Sequence, residues 1–106
     1  MREIIYKRNV KVEEGTVEYL SREIASKAYI SGNNSYNTYV NALKDIKNII
    51  DVESPHYDFA KRLIDIPLDE RYNEIEKMVE DYKRHIGEIG STDIQKLNDS
   101  LKILKT

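Results

Sequence analysis

The chain has no cysteine anywhere in its 106 residues. That excludes a disulfide framework, a thiolate nucleophile and a zinc–thiolate site, and it fits the reducing interior of a cell. It also lacks any apolar run near the ~18 residues that a membrane-spanning helix needs. Its first residues lack the apolar stretch of a secretory signal. These absences predict a cytoplasmic protein with no membrane partner. Catalytic signatures are missing as well: there is no glycine-rich phosphate loop, no His-paired nucleophile and no convergent carboxylate pair at a known spacing. The expectation is a non-enzymatic protein that uses no cofactor and no metal.

What is present is ordinary for a small soluble domain, 40% hydrophobic and 34% charged with a net charge of −2. A weakly acidic total gives no bulk attraction to nucleic acid. The charge is unevenly spread, however. Residues 1–48 carry eight Lys/Arg against six Asp/Glu, a balance of +2, which leaves −4 for the remainder of the chain. A mildly basic front and an acidic back imply faces with different tasks.

The first dozen residues carry the sharpest local signal. Ile4, Tyr6, Val10 and Val12 fall on even positions, interrupted by Arg8, while Ile5, Lys7, Asn9 and Lys11 alternate with them. This period-two pattern predicts a half-buried β-strand over residues 3–12. A lone strand ahead of helices must find its ladder within itself or on a second chain. One solution is a hairpin of Ile4–Tyr6 with Val10–Val12, turning at Lys7-Arg8-Asn9. The other is a ribbon shared by two chains.

Beyond Glu13-Glu14-Gly15 the pattern turns helical. Thr16 is a candidate cap, and Val17, Leu20, Ile24 and Ala28 share one helical face. Ser31-Gly32-Asn33-Asn34 is a turn by composition. A second helix follows, with Tyr36, Tyr39, Val40, Leu43, Ile46 and Ile50 inward. Ser54-Pro55 starts a short helix bearing Phe59, Ala60, Leu63 and Ile64, which Pro67 ends. Leu68, Tyr72, Ile75, Val79, Tyr82, Ile86 and Ile89 then make a heptad seam, widened by Met78. A last helix, capped near Thr92, repeats the logic with Ile94, Leu97, Leu101 and Leu104. The expected fold is mostly α: a short N-terminal β-strand, four or five helices, and a C-terminal helical hairpin. Residues 1–52 form a strand–helix–helix region and residues 53–106 a helical region.

The order strand, helix, turn, helix over residues 3–50 resembles the ribbon-helix-helix family of DNA-binding proteins. In that family two chains each give one strand to a ribbon that lies in the major groove. The resemblance implies a homodimeric regulator of transcription or of plasmid or viral copy control, bound to double-stranded DNA. Lys7, Asn9 and Lys11 would contact bases, and the amides of Asn34, Ser35 and Tyr36 would hold a phosphate. A second reading starts from the uncharged stretch 28–43. Tyr29, Asn33, Asn34, Tyr36, Asn37 and Tyr39 offer large contact area and adaptable hydrogen bonding, which suits an inhibitor or adaptor that occludes or bridges a partner protein. The eight tyrosines sit mostly at core spacing. Asp81, His85 and Glu88 share a helical face without a zinc motif's ligand number, and His56 is expected to be solvated.

Overall fold

The computed structural model describes residues 2–25, 36–86 and 91–106. Among them are six helices and no strand: α1 (Arg2–Arg8), α2 (Val10–Ala25), α3 (Asn37–Ile50), α4 (His56–Ile64), α5 (Leu68–Ile86) and α6 (Ser91–Leu104). No described helix is long and apolar enough to cross a membrane.

The N-terminal strand is therefore corrected to two helices that meet at Asn9, and neither the intramolecular hairpin nor the two-chain ribbon has a strand to use. Asn9 closes one helix and opens the next. Its Nδ2 donates to the carbonyl of Ile5 at 2.8 Å, and its own carbonyl receives the amide of Glu13 at 2.8 Å. An asparagine side chain serves this junction because it satisfies a helix-end group that lacks an intrahelical partner. The alternation misled because only Val12 of the even set is fully buried, while Ile4 and Tyr6 are exposed. Val12 instead belongs to a helical row with Gly15, Thr16 and Tyr19, all buried. Small residues in the middle of that row hide its period of 3.6. Packing of this row overrides the strand propensity of the β-branched residues before it.

Gly15 explains why small residues are required there. A Cβ on Gly15 would lie 2.9 Å from the Cβ of Tyr39 and 3.5 and 3.6 Å from methyl carbons of Leu43 and Leu104. The glycine lets α2 and α3 approach closely. α3 is the central element, burying Val40, Ala42, Leu43, Ile46 and Lys47 over a wide arc. It packs on α2 and, most extensively, on α6.

That last contact corrects the expected C-terminal hairpin. The seam of α5 does face inward, with Ile75 and Val79 inaccessible and Leu68, Tyr72, Met78 and Tyr82 packed at the margin. Yet α6 sends Leu97, Ser100, Leu101 and Leu104 chiefly to α3, and α5 spreads its contacts over the remaining helices. The 3–4 spacing of each seam specified an inward face but not its partner. Lys83 still links α5 to α6 through Asn98. The division at residue 52 falls in the α3–α4 connection, and one core cluster draws residues from both sides of it.

Arg71 ties the helices together at the polar edge of this core. It is 6% exposed and makes five hydrogen bonds: from Nη1 to Glu13 Oε2 (2.9 Å) and Thr16 Oγ1 (3.1 Å), from Nη2 to the carbonyls of Ile64 (3.2 Å) and Ile66 (2.8 Å), and from Nε to Ile66 (3.2 Å). The guanidinium thus joins α5 to α2 and to carbonyls at the end of α4, which would otherwise lack partners.

Candidate functional site

The residues expected to read DNA bases sit on helices. Lys7 is exposed in the last turn of α1, and Asn9 forms the α1–α2 junction. Lys11 is half-buried in the first turn of α2, where its amide donates to Thr106 Oγ1 at 3.3 Å. They do not line one face of a ribbon. Of the phosphate and protein-contact sets, Tyr29, Asn33, Asn34 and Ser35 lie outside the described residues. Tyr36 precedes α3, half-buried, with no side-chain capping bond. Asn37 Oδ1 accepts from Arg22 at 2.6 Å, and Tyr39 packs at the α2–α3 crossing.

A different surface gathers on α2. Of Val17, Leu20 and Ile24, expected to point inward together, Leu20 packs against the core, whereas Val17, 45% exposed, and Ile24, 65% exposed, form an outer stripe. On a helical wheel this stripe lies about 140° from the buried row of Val12 and Tyr19. A helix with two apolar stripes has one more than a single core can use. Val17 joins Tyr6 from α1 and Tyr36 in a groove of about 220 Å³, edged by Glu13, Glu14 and Glu18. The Tyr6 hydroxyl donates to Glu14 Oε1 at 3.0 Å, and that bond holds its pKa above the ordinary phenol value. Glu18 pairs with Arg22 at 3.1 Å. The second stripe was readable in the sequence at Val17 and Ile24, seven residues apart. What the sequence hid was which stripe faces the core.

A larger cleft of about 570 Å³ opens between α3, the α3–α4 connection, α4 and α5, lined by Ile50, Asp51, Ser54, Arg62, Met78, Asp81, Tyr82 and His85. Its charged edge is internally paired, Arg62 with Asp51 at 3.5 Å and Asp81 with Arg84. No three described His, Asp or Glu side chains are grouped to hold a metal ion, and Glu88 lies outside the described residues.

Tyr19 and His56 form a half-buried acid–base pair. Tyr19 is inaccessible, and its hydroxyl shares a hydrogen bond with Nδ1 of His56 at 2.6 Å, the direction of which follows the tautomer of the imidazole. The rings meet edge-on, 5.8 Å apart, and Phe59 packs beside Tyr19. Burial drives the Tyr19 pKa far above the phenol range, with Glu23 adding to it. The pKa of His56 is lowered by burial first, then by Lys47 and Lys44, against an opposing pull from Glu23. His56 also opens α4, where the positive helix end disfavours a cation. Solvation expected for His56 is thus only partial.

This pair gives a stability signature. Since the folded pKa of His56 lies below its ordinary 6.5, the unfolded chain binds more protons between the two values. The stabilisation is fully present above pH ~6.5 and is lost as pH falls through the folded value. Urea titrations between pH 7.5 and 5 will show a decline in wild type that is shallower in His56→Gln. Parallel profiles for the two proteins would refute the assignment.

Comparison with protein-family models, with curated proteins and with solved structures finds no match for this chain.

Proposed function

We propose that this chain is a non-enzymatic helical module that binds a partner protein, as an inhibitor or adaptor, through the outward face of α1 and α2. The observation that carries this reading is the second apolar stripe of α2, Val17 and Ile24, of which Val17 also lines the groove at Tyr6 and Tyr36. Exposed apolar side chains aligned on one helix face, with tyrosines beside them and charges at the edge, are the composition of a recognition surface. The DNA-binding reading rested on a ribbon, and residues 4–12 are helical apart from the Asn9 junction. The homodimer rested chiefly on the same unpaired strand edge, and secondarily on the seam from Leu68 to Ile89. Both lose their main support.

The test separates folding from binding. Val17→Gln with Ile24→Gln, at exposed positions, will change stability by no more than about 0.5 kcal/mol. A photo-crosslinking residue placed at Ile24 will form a discrete protein adduct in the source cell. The same residue at Asn48, exposed on α3, will not, and Val17→Gln will abolish the Ile24 adduct. A salt-sensitive, sequence-specific shift of DNA, without a protein adduct at Ile24, would overturn the reading in favour of the nucleic-acid one.

A further inference from the structure

The groove at Tyr6, Val17 and Tyr36 has about 220 Å³ of space, below the roughly 300–1,000 Å³ of small-molecule sites. That is room for one large side chain. Its walls are two phenol rings and a valine, and every charged group lining it is a carboxylate.

The three carboxylates are not equivalent. Glu13 is neutralised by Arg71 at 2.9 Å and Glu18 by Arg22 at 3.1 Å. Glu14 is half-buried, and its bond is with the neutral phenol of Tyr6 at 3.0 Å. No cation pairs with Glu14 among the described residues. Among the described residues, the groove therefore presents one negative charge without a paired cation beside aromatic and aliphatic surface.

We propose that this groove receives an arginine or lysine side chain presented by an amphipathic segment of a partner protein, an inference that rests on the protein-binding reading above. The apolar stem of such a side chain lies along Val17 and the rings, and its head meets Glu14. Phenol faces attract a cation over them, and long basic side chains cover apolar surface while keeping the charge at a polar edge. The neighbouring residues of the segment cover Leu20 and Ile24.

Charge complementarity favours this occupant over the alternatives. A two-fold dimer through this face would bring the unpaired Glu14 of one copy near that of the other, with no free cation among the described groove residues to offset it. The arginines nearest to them are already engaged, and Arg71 is only 6% exposed. The phosphates of a nucleic acid would be repelled. The cleft at Ile50, Met78 and Tyr82 is larger, but its paired edge selects no partner charge.

The test uses three synthetic 14-residue helical peptides on the full chain. All carry leucines at i, i+3, i+4 and i+7; flanking positions are arginine in the first, glutamine in the second and glutamate in the third. Amide shifts are followed by NMR. The arginine peptide will perturb Tyr6, Glu14 and Val17 and bind at least tenfold more tightly than the glutamine peptide, and the glutamate peptide will bind least. Glu14→Gln, which keeps an acceptor for the Tyr6 hydroxyl, will erase the difference between arginine and glutamine. Equal binding of those two, lost in Val17→Gln, would overturn the cation pocket and leave the protein-docking reading standing. Binding of no peptide, or shifts confined to another face, would overturn the pocket as well. A dimer of the chain alone that dissociates in Val17→Gln would overturn it too, and would give the face to a second copy.

Discussion

An Arg71→Ala variant will be destabilised by about 3–5 kcal/mol, the range for removing one partner from a buried charged network. The size follows from what is left behind. The carbonyls of Ile64 and Ile66 lose their donors, Thr16 loses a partner, and the Glu13 carboxylate, 29% exposed, keeps its charge without its cation. Arg71→Lys will recover little, because a single ammonium cannot reach acceptors on α2 and at the end of α4 together. Glu13→Gln will cost less than the alanine variant, since solvent reaches that carboxylate and the amide keeps an acceptor. Urea midpoints at pH 7 rank the three. A loss below about 1 kcal/mol in Arg71→Ala would mean that the network is ornamental, at the level of an exposed ion pair.

The second large effect is expected at Gly15. Alanine is the better helix former by about 1 kcal/mol, so an open site would gain stability from Gly15→Ala. Here the new Cβ would stand 2.9 Å from the Cβ of Tyr39. That atom is fixed to the α3 backbone and cannot swing aside as the tip of a long side chain would. Relief requires the two helices to separate, and overpacking of this kind costs about 1–3 kcal/mol. The clash wins: Gly15→Ala is destabilised by about 1–2 kcal/mol, and Gly15→Leu by about 3 kcal/mol or more. Thermal unfolding of both variants checks the order. A stabilised Gly15→Ala would show that α2 and α3 tolerate a wider spacing.

Much of the architecture from α3 onward was legible in the sequence because its periods were carried by large apolar residues. Val40, Leu43 and Ile46 on α3, Phe59 and Leu63 on α4, and Ile75 and Val79 on α5 all lie where their spacing puts them. The N-terminal region was misread for one physical reason. Its buried row runs through Gly15 and Thr16, whose smallness serves close approach but carries no hydrophobic signal. The visible stripe, Val17 and Ile24, belongs to the outside. Pairing was the other gap: the seams of α5 and α6 looked matched, but spacing names a face and not its partner. Of the candidate site, the sequence marks Tyr36 as a contact residue. The alternation puts Tyr6 on the strand's apolar side and helical spacing puts Val17 on an inward face, while Glu14 stands out only as part of the Glu13-Glu14-Gly15 break.

The close crossing at Gly15 bears on how a partner would be met. Glu14 and Val17 lie beside the glycine on α2 and Tyr36 immediately precedes α3, so the Val17 and Tyr36 walls of the groove, though not Tyr6 on α1, are carried by two closely crossing helices. The interior beneath the crossing is filled by Leu43 and Leu104. On the protein-binding reading proposed above, these two walls would be in place before a partner arrives. Little conformational freedom remains to be lost on association, and an incoming segment bears most of the ordering cost itself. Capture by such a surface is limited by encounter and orientation rather than by rearrangement, and differences between rival partners appear mainly in how long each stays.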